Sequence, residues 1–146
     1  MMFAAHGNRV LGVDAAPLAI DKARMKAKER RSPAEFIVAD ALNLSALGRT
    51  FDVATDCGLF HTFSDSEREV FRRSLFGAIR PGGRYFMLCF SDREPADWGG
   101  PRRVTKEEIR LTFDHGWKVD SIKPARFEAS HLGEGGHAWL ASLSRS

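Results

Sequence analysis

Three aspartates each end a short apolar run of this chain, and their positions indicate binding chemistry: Asp14, Asp40 and Asp56. In sheets of parallel strands, the carboxyl ends of the strands share one edge, which is where nucleotides bind. A carboxylate there can accept hydrogen bonds from both hydroxyls of a ribose, and one on the next strand can accept a bond from an exocyclic amine. We therefore expect the three aspartates to line one cleft for a nucleotide-type cofactor. The alternative is that aspartate ends strands simply because it favours turns.

A second group of candidates follows the third aspartate. His61 lies just beyond an apolar strand, where it could act as a general base towards a hydroxyl, thiol or amine. The alternative is a histidine that hydrogen-bonds a backbone group and shapes a pocket. Phe60 and Trp98 could contact a substrate beside it, although each is more often a core residue. The spacing of His131 and His137 matches no zinc motif, so no metal is expected.

The elements that must position these residues alternate between strand-like and helix-like patterns. This alternation predicts an α/β fold in which helices cover a largely parallel sheet. The link at 130–136 is short and rich in glycine, which is compatible with an antiparallel pair of strands but not with a parallel crossover. We therefore expect a mainly parallel sheet with one antiparallel strand at its end. The predicted strands are 9–14, 35–40, 51–57, 84–90, 117–122 and 137–143.

Helix signals separate these strands. Pro17 suits the first turn of a helix that continues to about Arg30. Two capping boxes predict the starts of two further helices. In each box, a hydroxyl and a carboxylate three residues later each accept a hydrogen bond from the other residue's backbone N–H. The boxes are Ser64 with Glu67 and Thr105 with Glu108. The helix after the first box is expected to run to about residue 79, where 81–83 breaks it, and its predicted buried face comprises Val70, Leu75 and Ile79.

Composition narrows the class of protein. The 146 residues favour a single domain, and 43% hydrophobic residues suffice for one core. No apolar run approaches the ~20 residues that a membrane span needs, so we expect a cytoplasmic protein without a membrane partner. The net charge is +3, but the basic pairs are scattered and not interleaved with aromatic residues, so no nucleic acid partner is expected. Cys57 and Cys89 are expected to be small buried hydrophobic residues.

Taken together, the ordered motifs resemble those of the class I S-adenosylmethionine-dependent methyltransferases. The motifs that carry the resemblance are Gly12-Val13-Asp14, Val38-Ala39-Asp40-Ala41, Phe51-Asp52-Val53, and the stretch from Leu75 to Arg80-Pro81-Gly82-Gly83. They look most similar to the small-molecule branch that includes thiopurine- and tellurite-type enzymes. The resemblance covers nearly the whole chain. It implies a Rossmann-like, mostly parallel sheet whose last strand is antiparallel.

The resemblance also implies roles for individual residues. Asp14 would hold the ribose of the cofactor, and Ala15 would lie near the adenine. Asp40 would face the adenine amine, with Ala41 supplying a backbone N–H. The segment from Asp56 and Cys57 to His61 would lie beside the methyl donor and the acceptor.

One part of the family pattern is missing. The first strand of the family fold and the Gly-rich loop that cradles the methionine part of the cofactor are expected just before residue 1, so the domain at 1–146 is expected to be N-terminally truncated. The strands at 9–14 and 51–57 would then lack their shared neighbour. Either they pair directly, or another copy fills the gap, or the protein begins upstream. Exposed strand edges make self-association as a homo-oligomer a prospect.

Three functions remain open at this point. The first is methyl transfer from S-adenosylmethionine to a small-molecule acceptor, with the activity of the short chain in doubt. The alternative is a non-catalytic methyltransferase-like module that self-associates and binds cofactor weakly or not at all. The third is a dinucleotide-binding oxidoreductase domain, which also places an acid after its second strand. Asp40 and the turn at 80–83 count against the third, because that fold requires neither.

Overall fold

The computed structural model describes residues 2–95, 99–128 and 136–146. The chain divides into two compact units, Met1–Ala46 and Leu47–Ser146, and each is described by itself. The helices and strands are α1 (Met2–Ala5), β1 (Leu11–Asp14), α2 (Pro17–Glu29), β2 (Glu35–Val38), β3 (Phe51–Cys57), α3 (Asp65–Ala78), β4 (Ile79–Phe90), α4 (Lys106–Thr112), β5 (Trp117–Phe127) and β6 (Gly136–Arg145). Two 3₁₀ segments are present, Ala41–Leu47 and Phe60–Thr62.

The first unit is built on one pair of parallel strands. β1 and β2 pair in register, from Leu11 opposite Glu35 to Asp14 opposite Val38. The ring of Phe36 lies against Gly12 of the neighbouring strand. Only glycine leaves room for it, because a Cβ at position 12 would lie 2.5 Å from the ring. The buried apolar residues described in this unit are few, and two of the four are alanines: Ala4, Ile20, Ala27 and Leu44. Its exposed large apolar residues are Met2, Phe3, Leu18, Met25 and Val38.

The second unit contains a four-stranded sheet in the order β3-β4-β6-β5. β3 runs parallel to β4, and β6 runs antiparallel to both β4 and β5. The prediction of an antiparallel last strand is confirmed. Its predicted position at the end of the sheet was wrong, since β6 lies between β4 and β5. The reason is that β6 pairs along its length with β4, from Ala138 opposite Phe90 to Ser144 opposite Arg84, which leaves β5 at the edge.

The strands at 9–14 and 51–57 do not pair directly. Among the described strands, β1 pairs only with β2, and β3 pairs only with β4. One edge of each strand therefore has no strand partner in the described part of the chain. Val53 in β3 is exposed as well, which is unusual for a strand in a parallel pair, because such strands are normally covered on both faces.

Both predicted capping boxes are present. The Ser64 hydroxyl accepts from the Glu67 N–H while Glu67 accepts from the Ser64 N–H, and Thr105 and Glu108 do the same at α4. The predicted buried face of α3 was partly wrong, because Val70 is 40% exposed. The helix turns a neighbouring stripe inward, spaced by three and four residues as a helical face requires. That stripe comprises Arg68, Phe71, Ser74, Leu75 and Ala78.

The break predicted at 81–83 lies inside a strand. α3 ends at Ala78, and β4 already begins at Ile79, with a register shift against β3 before the regular pairing starts at Arg84. A Cβ on Gly83 would lie 2.8 Å from the carbonyl oxygen of Asp52. The glycine therefore permits a close backbone approach where the chain irregularly joins the sheet.

The core of the second unit is dominated by aromatic rings. Phe113 is buried, and its ring centroid lies 5.7–5.9 Å from those of Phe60, Tyr85 and Trp117. The indole N–H of buried Trp139 donates to the Asp92 carboxylate and to the Val104 carbonyl, both at 3.0 Å. Such rings supply large buried areas and specific packing.

The two cysteines differ from each other. Both are free thiols, and Cys89 is buried as expected, but Cys57 is exposed. The expectation for Cys57 was wrong because β3, which it ends, has a partner on only one edge among the described strands and is exposed to solvent at alternate residues. Among the described residues, none of the helices has the length and apolar character required to cross a bilayer.

Candidate cofactor and acceptor sites

Asp14 and Asp40 lie at the same end of the first unit. Asp14 is the last residue of β1, and Asp40 follows β2, which runs parallel to β1 at its side. Each carboxylate accepts one backbone N–H through Oδ1 at 2.8 Å, from Ala16 and Leu42 respectively. Both aspartates are exposed. Each carboxylate can therefore accept further hydrogen bonds from the solvent side, in addition to the one from its own turn. The structure therefore brings these two predicted residues together.

The two alanines occupy the turns that these aspartates hold. Ala15 is exposed between Asp14 and the start of α2, while Ala41 opens the 3₁₀ segment after Asp40. The N–H of Leu42 donates to the Asp40 carboxylate within this turn. The residues present fit the adenosine half of a cofactor: two exposed carboxylates at adjacent strand ends can accept hydrogen bonds, and small side chains lie next to them.

Asp56 is placed differently, at the end of β3 in the second unit. Its Oδ1 accepts from the N–H of Leu59 at 2.7 Å, and its Oδ2 accepts from the N–H of Phe60 at 3.0 Å and the hydroxyl of buried Tyr85 at 2.9 Å. Burial raises the pKa of this carboxyl, although the three donors act against the increase. In the described structure Asp56 ties the turn after β3 to β4, so its predicted role towards the cofactor stays a prediction.

Cys57 follows Asp56 at the exposed end of β3. Desolvation raises the pKa of its thiol, and the negative charge of Asp56 adds to the increase, so the thiol form is favoured. Gly58, with φ of +88°, turns the chain, and its N–H donates to the carbonyl of Leu88 at 2.9 Å. Cys57 is thus available for contact but is not activated as a nucleophile.

His61 is buried and bonded to the backbone. Its Nδ1 accepts the N–H of Phe90 at 3.0 Å. Its ring stacks on that of Phe90 at 4.9 Å and meets the edge of the Phe127 ring at 5.9 Å. Burial lowers the pKa of the imidazole, and the positive charge of Arg68 lowers it further. Because Nδ1 accepts a hydrogen bond, the neutral ring carries its proton on Nε2, so neither nitrogen offers a spare lone pair for general base chemistry.

Phe60 lies in the core and is 0% exposed, so it cannot touch an acceptor in this structure. Its ring contacts that of Phe113, and the guanidinium of Arg68 lies over it, 4.6 Å from the ring centroid. The prediction that Phe60 lines a substrate pocket therefore fails on burial. Trp98, the other predicted aromatic wall, lies outside the described residues.

The buried cation Arg68 was not anticipated. Its side chain is 3% exposed and pairs with the carboxylate of Glu108 at 3.1 Å. Glu108 also accepts from Arg102, which in turn binds Asp65 at 2.6 Å. An arginine in a helix usually indicates a solvated face, and the only sequence signal here was its spacing from Phe71 and Leu75. Arg102 is thus part of the same ion-pair network as Arg68.

Phe127 was also missed. It is the last residue of β5, is half-buried, and has its ring centroid 4.5 Å from that of Phe90. A Cβ added at Gly58 would lie 3.5 Å from the His61 ring and 3.8 Å from that of Phe127, so the three residues adjoin. No sequence pattern marked Phe127, because its role depends on the pairing of β5 and β6. In the described part of the chain, no group of His, Cys, Asp and Glu could hold a metal ion.

Comparison with known proteins agrees with this fold. A family model described as "Methyltransferase domain" matches residues 1–83. The chain is 36% identical over 132 residues to the 2-heptyl-1-hydroxyquinolin-4(1H)-one methyltransferase of Mycobacteroides abscessus. The matched region covers 89% of this chain and 58% of that protein. It is 37% identical over 105 residues to the demethylmenaquinone methyltransferase of Thermus thermophilus, covering 72% of this chain and 47% of that protein.

A solved structure from work on the conversion of a disulfide bond into a thioacetal group during echinomycin biosynthesis is also similar. Its TM-score is 0.86 at 33% identity, over 99% of this chain and 70% of that one. The chain thus spans about half of the length of the curated relatives above. The resemblance to a thiopurine- and tellurite-like branch stays a prediction, while the oxidoreductase alternative has no support among these matches. Fold, family model and relatives agree, and the chain belongs to the class I S-adenosylmethionine-dependent methyltransferase family.

Proposed function

We propose that residues 1–146 belong to one methyltransferase-like domain that transfers a methyl group from S-adenosylmethionine to a small-molecule acceptor. The observation that carries the proposal is the pair of exposed carboxylates, Asp14 and Asp40, at the same end of two paired parallel strands. Each is held in place by a backbone N–H of its own turn. When bound, the cofactor supplies an electrophilic methyl group on a sulfonium sulfur.

In this proposal, the chain's own residues bind and orient the adenosine half. Asp14 accepts hydrogen bonds from the ribose hydroxyls. Its carboxylate is exposed, and the hydrogen bond from the Ala16 N–H fixes its orientation. Asp40 accepts the exocyclic amine, with Ala41 beside it. Ala15 leaves room for the flat face of the base. Asp56 and Cys57 contribute through the turn that they shape, since the Asp56 oxygens hold that turn.

The acceptor we propose is a small molecule with a planar ring. The relatives named for a hydroxyquinolone and for demethylmenaquinone act, by their names, on ring compounds. In this chain, His61, Phe90 and Phe127 form an aromatic cluster, and only Phe127 is half-exposed. Stacking against such a ring is favourable for a flat acceptor. His61 positions the cluster and is not proposed as a base.

Titration of S-adenosylhomocysteine, followed by calorimetry, tests the cofactor half of the proposal. We expect Asp14→Ala to weaken binding by roughly 1–3 kcal/mol, because it removes charge-assisted hydrogen bonds to the ribose. Asp21→Ala is the matched control. It removes an exposed carboxylate in the same unit, whose described partner is Arg24 at 3.7 Å, and it should leave binding unchanged.

Two outcomes would count against the proposal. Equal affinities of the Asp14→Ala variant and the unmodified chain would remove Asp14 from the site. A flat titration of the unmodified chain, with its fold intact by circular dichroism, would favour the second candidate function. That candidate is a non-catalytic module that self-associates.

The observation that favours self-association is the strand edge of β3. This edge has no strand partner among the described residues, and exposed Val53 lies on the same strand. Such an edge is a template for pairing with another chain. Sedimentation velocity over a range of concentrations tests this, and a monomer at all concentrations would contradict it. We also propose a cytoplasmic location and no nucleic acid partner, as expected from the composition.

A further inference from the structure

The helix α2 and the residues directly after it carry an excess of positive charge. Between residues 17 and 31 there are six basic and two acidic side chains, a net charge of +4, whereas the whole chain carries +3. The rest of the chain is therefore slightly negative. The basic residues are Lys22, Arg24, Lys26, Lys28, Arg30 and Arg31. Charge that is concentrated in this way creates a local positive field.

The solvent face of α2 also carries two large apolar side chains. Leu18 is 66% exposed and Met25 is 63% exposed. They are seven residues apart, which is about two helical turns, so both lie on the same side. The opposite side carries Ile20 and Ala27, the buried residues that hold the helix to its own unit. The exposed pair is thus not needed for packing within the described structure.

Lysines flank this pair. Lys22 lies between Leu18 and Met25 in the helix and shares their side, and Lys26 is one turn beyond Lys22. Lys22, Lys26 and Lys28 form no ion pair with a carboxylate among the described residues, whereas the nearby Asp21 is engaged by Arg24. Glu29 is the remaining acid of this face. Its single charge leaves the positive excess in place.

From this arrangement we infer that the solvent face of α2 docks on an anionic lipid bilayer. A surface helix binds such an interface by burying apolar side chains at the headgroup boundary while lysines contact the lipid phosphates. The lysine stems extend along the apolar surface and keep their charges at the phosphates. This departs from the expectation of no membrane partner, which considered only a spanning helix. The inference does not depend on the proposed methyl transfer.

A bilayer fits this face better than other polyanions. Binding of single-stranded nucleic acid typically adds aromatic side chains on which bases stack, and α2 contains none. Leu18 and Met25 would gain nothing from a phosphate backbone, but they gain burial in a lipid interface. An acidic protein groove is the remaining alternative, and the experiment below separates it from lipid.

Co-sedimentation with vesicles tests the inference on the whole chain. We expect the chain to bind vesicles of phosphatidylcholine mixed with phosphatidylglycerol, and not vesicles of phosphatidylcholine alone. The double variant Lys22→Glu/Lys26→Glu should bind the anionic vesicles about thirtyfold or more weakly, given the typical contribution of each lysine near such a surface. Added salt should weaken binding of the unmodified chain.

A charge-matched control separates docking from net charge. Lys118→Glu/Lys123→Glu changes the net charge by the same amount, and both lysines are exposed on β5. This variant should keep most of its binding if α2 is the docking face. Equal losses in the two double variants would show that only net charge matters and would overturn the inference.

A second matched pair tests insertion of the apolar side chains. Met25→Ser should weaken binding about fivefold, while Leu111→Ser should not, although both residues are 63% exposed. Equal effects of the two serines would overturn the insertion of α2. So would binding of a single-stranded oligonucleotide or an acidic peptide in place of the anionic vesicles. Circular dichroism of every variant confirms that the fold is kept.

Discussion

The two units of this chain differ in how each buries its apolar residues. Leu47–Ser146 encloses a set of aromatic rings around Phe113, together with the buried ion pair of Arg68 and Glu108. Among the described residues of Met1–Ala46, the buried apolar side chains are Ile20, Leu44 and two alanines. Burial of large side chains is the main favourable term in folding. The second unit therefore has a core of its own, whereas the first has little beyond one strand pair and the helix α2.

This difference matters because the two groups of residues proposed for function lie on different units. The proposed adenosine residues, Asp14 and Asp40, lie on the unit with the smaller core. The aromatic cluster proposed for the acceptor lies on the unit with the larger one. Because local opening follows local burial, the proposed adenosine residues are expected to lie in the more easily disturbed unit. The following predictions test this contrast.

The largest effect should be seen in native-state hydrogen exchange. We expect the amides of β1 and β2 to exchange with an opening free energy at least about 3 kcal/mol lower than that of the amides of β4 and β6, because the latter are buried in the central strands of their sheet. Exchange measured peptide by peptide with mass spectrometry checks this. Equal protection of both strand pairs would contradict the contrast between the units.

Breaking the buried ion pair should produce the next largest effect. Glu108→Gln keeps a capping-box residue at the third position of α4 but leaves the buried Arg68 without a counter-charge. We expect the free energy of unfolding to fall by about 3 kcal/mol, measured by denaturant titration. Arg68→Met is the control. It replaces the cation by an apolar side chain, and Glu108 keeps Arg102 as its partner, so this variant should cost less than Glu108→Gln. An equally large loss in both variants would mean that packing and not charge is responsible.

Two strand-terminal aspartates provide a direct comparison of the units. Asp56→Ala should lower the free energy of unfolding by about 2–3 kcal/mol, since it leaves the N–H groups of Leu59 and Phe60 and the buried Tyr85 hydroxyl without their acceptor. Asp14→Ala should cost less than about 1 kcal/mol, because its carboxylate is exposed and holds one N–H. Similar losses in denaturant titration would show that the two aspartates are equivalent.

The smallest effect concerns pH. In the folded state the pKa of His61 is lowered from its ordinary value of 6.5, so below that value the unfolded chain takes up a proton that the folded chain does not. Its contribution to stability is thus present above pH 6.5 and is lost as the pH falls. Between about pH 7.5 and about 5.5, we expect the unmodified chain to lose more of its free energy of unfolding than His61→Asn. Asparagine can accept the Phe90 N–H without titrating, and parallel pH profiles would contradict the prediction.

Much of the fold could be predicted from the sequence because its signals are local. The apolar run before Asp14, the range of β3 and the two capping boxes all rely on neighbouring residues. The edge position of β5 and the burial of Arg68 could not be predicted, because each depends on contacts between distant segments. The same holds for the hydrogen bond from the Tyr85 hydroxyl to Asp56, which joins the end of β3 to β4.

The same distinction between local signals and distant contacts applies to the candidate functional residues. Asp14 and Asp40 could be found because a strand end followed by a turn is visible in the sequence. Phe127 could not, since only the pairing of β5 with β6 brings it to Phe90. Phe60 was misassigned because position in the chain does not reveal whether an aromatic ring faces a cleft or the core.

The uneven distribution of aromatic rings has a practical consequence for spectroscopy. All three tryptophans and the single tyrosine lie within Leu47–Ser146, and Met1–Ala46 contains neither residue type. Trp117 and Trp139 are both buried, so we expect them to give a blue-shifted emission. A melting curve followed by intrinsic fluorescence therefore reports on one unit only. A tryptophan introduced into α2 would give the first unit, with Asp14 and Asp40, a signal of its own.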